Sequence, residues 1–230
     1  SIRPPAWAGP RPAAPWPASP AQMAWEAADG ARHNFSSASA RHSTGLYVSA
    51  APCAELPGWG AGEMDIGLRM MSLTSWLDLI LKCKIKQVVC LMDEEELERR
   101  YGGLGDGGLA ATCRGQGVAF HCTPLREGWP SASACADALA ALRLAALSSE
   151  APAVLVCRDG REVSAGVAAA WLALRCSQTP ADAVAAVEVT AERFSAGRAP
   201  LAPFGGAAGG AAAGESFSSF LSEVSKLAGE

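Results

Sequence analysis

The stretch VLVCRDGREVSAGVAAAWLAL, residues 154–174, decides the fold. A β-branched apolar run ends at Cys157, a short polar loop containing Gly160 follows, and an apolar helical pattern begins at Ser164. An apolar run of this kind reads as a strand buried on both faces, and the small and apolar residues after it read as a buried helix. A loop joining the carboxyl end of a strand to a helix N-terminus turns backbone N–H groups and the helix dipole toward one point, where anions are stabilised. A cysteine at that point stands in a nucleophile's position.

The same alternation extends to either side. LTSWLDLILKCKI (residues 73–85) reads as a helix and QVVCLM (87–92) as a buried strand. DEEELERRYGG (93–103) opens as a charged helix and runs into a loop, and LAATCRGQG (109–117) closes another helix. VAFHCTPL (118–125) is a strand, ASACADALAALRLAALSS (132–149) a long helix, and AVLVC (153–157) the strand above. TPADAVAAVEVTAERF (179–194) is a helix with Thr179 as N-cap and Pro180 at its first position. Strands alternating with helices predict an α/β fold, a mostly parallel central sheet covered on both faces, with ligands beyond the carboxyl ends of the strands.

The ends differ in composition. Residues 1–45 are dense in Pro, Ala and Ser, which forbids long helices and interior strands, so they read as an extended arm. Trp7, Trp16 and Trp25 punctuate that arm, and tryptophan at such density is unusual unless pockets await it. Residues 46–200 form the domain, residues 201–214 a Gly/Ala linker, and residues 215–230 a short amphipathic helix with Phe217, Phe220, Leu221, Val224 and Leu227 on one face.

Composition narrows the function classes. With 230 residues, half of them hydrophobic, the chain buries a full core. Its net charge is -4 and it has no basic cluster, which argues against nucleic acid as a partner. No apolar run reaches the roughly 18 residues of a membrane span. The eight cysteines show no C-x-x-C spacing and several lie in apolar runs, so they read as free buried thiols in a reducing compartment, cytoplasmic or cytoskeletal. His121 reads as a core histidine, since no second ligand stands two or four residues away, and neither metal nor cofactor is expected. His33 and His42 fall in the arm, MDEEELERR reads as a solvated helix face, and the glycines of YGGLGDGGL lack the strand before and the helix after that a nucleotide-binding loop requires.

Strand, Cys, five residues, one further position, Ser and helix resembles the signature of the cysteine-dependent protein tyrosine phosphatases, which is His-Cys, five residues, Arg, then Ser or Thr. IKQVVCLMDEEELERRYG, GVAFHCTPLREGWPS and TPADAVAAVEV resemble, in order, segments of the dual-specificity phosphatases, and LYVSAAPCAELPG resembles the lead-in strand of their kinase-associated phosphatase (cyclin-dependent kinase inhibitor 3) subgroup. The resemblance covers about residues 45–195 and implies that subgroup's phosphatase-like fold.

That chemistry needs a thiolate with a pKa well below the roughly 8.5 of free cysteine. It also needs loop N–H groups and an arginine to hold the phosphoryl oxygens, and a separate acid for the leaving group. Cys157 matches the nucleophile, Gly160 the loop glycine and Ser164 the hydroxyl. Val156 stands in the histidine position and Val163 in the arginine position. Arg158, Asp159, Arg161 and Glu162 fill the rest of the loop, Glu162 adds negative charge where a phosphate would lie nearby, and PLREGW places Glu127 at or near the acid. Loss of one preorganised charge stabiliser costs on the order of 10² to 10³ in rate, and a shifted acid about 10² more. Arg158 and Arg161 lack the spacing to turn back into the cradle.

The resulting expectation is a pseudophosphatase, a non-enzymatic phosphatase-like chain that serves as a structural or binding component of a larger assembly. Its protein partners would be met through Trp7, Trp16 and Trp25 and through Phe217, Phe220 and Leu221. The Ala-rich composition fits a GC-rich genome such as a green alga's, and the ciliary axoneme is an assembly in which such a part would serve. The competing expectations are a weakly active dual-specificity phosphatase and a phosphate-reading module without turnover.

Overall fold

The computed structural model describes residues 31–39, 45–54, 56, 65–104, 107–125, 130–148, 152–193, 197–200, 202–204 and 210–228. The strands are β1 (Ser36–Ser37), β2 (Leu46–Ala50), β3 (Gln87–Cys90), β4 (Ala119–Cys122) and β5 (Ala153–Cys157). The helices are α1 (Ile66–Lys82), α2 (Glu94–Tyr101), α3 (Gly108–Gly115), α4 (Ala132–Ser148), α5 (Val163–Arg175), α6 (Pro180–Arg193) and α7 (Gly210–Leu227). The strands form one sheet in the order β1-β2-β5-β3-β4. β1 pairs antiparallel with β2, and the other pairings are parallel. β5 is central, with Val154 opposite both Tyr47 and Val88 and Cys157 opposite Ala50.

The period of two along each strand divides the core. Leu155 and Cys157 face one side with Val48 and Val89, under α4, α5, α6 and α7. Val154 and Val156 face the other with Val88, Cys90, Trp76, Leu73, Tyr101 and Cys113, under α1, α2 and α3. Trp76 donates its indole N–H to the Ser49 hydroxyl at 3.0 Å, which joins α1 to β2 inside the core. At the start of α6, Thr179 accepts from the Asp182 backbone N–H at 3.1 Å and donates to its carboxylate at 2.7 Å, the cap that the sequence implied.

Four expectations change. First, the last part of the arm belongs to the domain. β1 lies within residues 31–39, Phe35 and Ala38 are buried, and the Phe35 ring stacks on Tyr47 at 5.2 Å. His33 is buried as well, with Nε2 3.4 Å from the Ser75 hydroxyl. Proline ends before this stretch, so no local rule bars a strand here.

Second, the C-terminal helix is long and begins at Gly210, inside the stretch read as a linker, while Ala202–Phe204 form a turn of 3-10 helix. Three consecutive alanines, Ala211, Ala212 and Ala213, outweigh the flanking glycines.

Third, that helix docks on its own domain. Phe217, Phe220, Leu221 and Val224 are buried against the α4–α6 side, and Phe204 meets the Phe217 and Phe220 rings at 5.5 and 5.4 Å. Phe217, Phe220 and Leu221 are therefore core residues and do not present a face to a partner, and Leu227 points outward. Fourth, β4 is an edge strand of partly exposed residues, where His121 Nε2 lies 2.7 Å from the Gln87 amide oxygen.

Among the described residues no helix is long and apolar enough to cross a membrane. Trp7, Trp16, Trp25 and His42 lie outside the described residues.

Removing a buried phenyl group costs about 3–5 kcal/mol. Phe35→Ala and Phe217→Ala are each expected to lower stability by that amount in a urea melt. A loss below about 1 kcal/mol in either variant would mean that the corresponding segment is not part of the fold.

Candidate functional site

Parallel strands deliver their carboxyl ends to one edge, and Cys157, last in the central strand, lies at the middle of that edge. The loop after it lies flush on the end of β2. Gly160 has φ +68°, and a Cβ there would come 2.5 Å from the Ala50 nitrogen and 2.7 Å from the Ser49 carbonyl carbon, so only glycine fits. The Ala51 N–H donates to the Cys157 carbonyl at 2.8 Å and fixes the strand end.

The loop residues then sort by direction. The Cys157 thiol is buried, with the Gly160 N–H donating to Sγ at 3.3 Å and the Ser164 hydroxyl 3.1 Å away. Asp159 folds back over it. Its Oδ1 accepts from the Arg161 N–H at 2.9 Å and lies 3.7 Å from Cys157 Sγ. A loop N–H that would otherwise face an incoming anion thus meets the chain's own carboxylate. Burial raises the Cys157 pKa, Asp159 adds to the rise, and the hydrogen bonds from Ser164 and Gly160 oppose it. The thiol is held protonated at neutral pH, the opposite of what a phosphoryl-attacking thiolate requires.

Of the cationic groups on the loop, Arg158 is engaged elsewhere. Arg158 is exposed and pairs through Nε with Glu96 at 2.9 Å, and the same carboxylate pairs with buried Arg100 at 2.8 Å. The helix face read as solvated therefore holds an inward-facing arginine, and burial, partly offset by Glu96, lowers its pKa. The Arg161 guanidinium lies against Gly197, where a Cβ would come 2.8 Å from Nη2. Val163, in the arginine position, packs at the start of α5 against the core under the sheet. Val156, in the histidine position, is fully buried in the opposite cluster. Glu162 is exposed and makes no side-chain cap to α5. Glu127 lies outside the described residues.

Sequence reasoning missed Asn34 and Arg198, which reach the loop from behind. Asn34 Nδ2 donates to the Asp159 carbonyl at 2.8 Å. Arg198 Nη1 donates to the Gly160 carbonyl, and its Nη2 reaches the Asn34 and Val48 carbonyls at 2.9 and 3.0 Å and the Ser36 hydroxyl at 2.9 Å. No local pattern marks either residue.

Among the described residues no three His, Cys, Asp or Glu side chains group as metal ligands, and all eight cysteines are free.

No protein-family model matches the chain, and no curated protein matches it. Among solved structures it is similar to human DUSP28, at 16% identity over 82% of this chain and 93% of that one with a TM-score of 0.45. It is similar to kinase associated phosphatase (KAP) with its catalytic-site cysteine replaced by serine, at 17% identity over 80% and 89% with a TM-score of 0.49. It is also similar to TpbA of P. aeruginosa, at 16% identity over 85% and 89% with a TM-score of 0.45. The likeness is in the course of the chain, an α/β sheet with helices on both faces.

Alkylation of Cys157 by iodoacetamide is expected to rise with pH through a midpoint above that of an ordinary free thiol, because the raised pKa leaves less thiolate at any lower pH. Asp159→Asn removes a charge that opposes the thiolate, so the midpoint moves down and the rate at pH 8 rises roughly fivefold, the effect of unit charges about 4 Å apart in a water-like dielectric. A midpoint below neutrality in the unmodified chain would contradict the protonated thiol.

Proposed function

We propose that this chain is a catalytically inactive phosphatase-like protein that acts as a structural or binding component of a larger protein assembly. The observation that carries the reading is Val163, partly buried against the core at the helix start where a clamping guanidinium would stand, while Arg158 is paired with Glu96. No guanidinium stands at the first position of α5 to clamp two phosphoryl oxygens. The raised pKa of Cys157 supports the same reading from the nucleophile's side.

An attack on phosphorus requires a thiolate, a clamp and an acid at once. A loop holding a protonated thiol, a valine and its own carboxylate supplies none of the first two. What persists is the scaffold, and a scaffold with a surface serves as a module. One exposed apolar stretch is available for this on α1, where Ile66, Leu68, Met70 and Met71 are between 43% and 71% exposed. The Trp-bearing segment before residue 31 is the second candidate contact. The docked C-terminal helix no longer counts among the partner surfaces. A ciliary axoneme remains the suggested setting.

Purified protein is expected to hydrolyse an aryl phosphate no faster than its Cys157→Ser variant, measured by product absorbance under saturating substrate. A Cys157-dependent rate well above that control would establish the weakly active phosphatase instead. Retention of a phosphopeptide over its unphosphorylated form, without turnover, would establish the phosphate-reading module.

A further inference from the structure

Three consecutive loop carbonyls are held from behind. Asp159 O accepts from Asn34 Nδ2 at 2.8 Å, Gly160 O from Arg198 Nη1, and Arg161 O from the Ala199 N–H at 3.1 Å. In a planar trans peptide the carbonyl and the following N–H point in opposite directions. Pinning Asp159 O to the rear therefore turns the Gly160 N–H to the front, where it meets Cys157 Sγ at 3.3 Å. Pinning Gly160 O turns the Arg161 N–H to the front, where it meets Asp159 Oδ1 at 2.9 Å. Rear ties and front contacts agree peptide by peptide.

The holding groups are themselves tied together. Asn34 Nδ2 also reaches the Gly197 carbonyl at 3.2 Å, and Arg198 Nη2 binds the Asn34 carbonyl, the Ser36 hydroxyl and the Val48 carbonyl. Arg198 has no carboxylate in contact among these bonds, and its acceptors are three backbone carbonyls and one hydroxyl. Burial works against its charge, while Cys157 and Asp159 nearby favour it. A planar guanidinium is suited to reaching several carbonyls at fixed angles, which an ammonium on a flexible stem is not.

We propose that Asn34 and Arg198 form a rear latch that fixes the peptide orientation of the Cys157 loop and keeps the Cys157 thiol enclosed. The latch joins residues 34–36, the end of β2 and residues 197–199 to the loop, so its conformation is set by the fold around it and not by a ligand in front. This holds whether or not the loop turns over a phosphate.

The buried cysteines provide the test. Cys90 and Cys135 are fully buried in the two separate halves of the core, away from the loop's rear ties, and Cys122 is exposed. The full chain, Asn34→Gly and Arg198→Met are treated with iodoacetamide, and the alkylation rate at each cysteine is followed by peptide mass spectrometry. Glycine suits position 34, where φ is +44°. Loss of a tie is expected to raise the Cys157 rate about tenfold while Cys90 and Cys135 stay at their unmodified rates. Equal acceleration at all three would show only general destabilisation and would overturn the latch. An unchanged Cys157 rate in a folded variant would overturn it too. If Arg198→Met does not fold, Asn34→Gly decides, since it removes one side chain and leaves every Arg198 bond to backbone in place.

Discussion

The Cys157 loop depends on a close approach between its glycine and the end of β2. At Gly160 there is no room for a Cβ, with the Ala50 nitrogen 2.5 Å from where it would sit. This flush contact brings the loop carbonyls within reach of Asn34 and Arg198 and leaves Cys157 enclosed beneath the turn. A side chain at that position would lift the loop off the sheet edge, and the rear hydrogen bonds would be lost with it. The arrangement of the thiol, of Asp159 and of the start of α5 all rests on this one approach.

The architecture separates shape from chemistry. The shape of the loop depends on a glycine, a buried strand end and hydrogen bonds to backbone carbonyls, none of which takes part in phosphoryl transfer. The chemistry that the resemblance implies would depend on side chains at positions 156 and 163, and both are valines, Val156 buried in one half of the core and Val163 partly buried against the other. Each valine adds apolar contact where a polar side chain would have needed partners, and buried polar groups without them are costly. Apolar residues at these two positions are therefore compatible with a stable fold. The shape alone does not report on the activity.

Much of this was legible in the sequence. The alternation of strands and helices and the cap at Thr179 follow from local periodicity and spacing. What stayed hidden depends on distance along the chain. Arg198 and Asn34 are 164 residues apart and meet across the back of the loop, and no window of sequence contains both. Residues 31–39 show no periodic pattern of their own, and only the β2 edge shows that Ser36 and Ser37 pair as a strand. The apolar face of α7 was plain from its spacing, but spacing says that a face must be buried and not what buries it. The chain's own α4–α6 surface covers it.

Cys157 illustrates how placement and environment act in opposite directions. A helix N-terminus and converging N–H groups stabilise a thiolate, and those groups are present in the Gly160 N–H and the start of α5. Enclosure in an apolar core destabilises it, and Asp159 adds a like charge beside it. Burial is the largest of these influences, so the thiol stays protonated. In an open cradle, water and an incoming anion would share the front of the loop with the sulfur. Here the Asp159 carboxylate takes the Arg161 N–H, and the sulfur faces the core on the side of Val89 and Leu155. The strand-loop-helix unit thus retains a nucleophile's address while its surroundings favour an inert thiol.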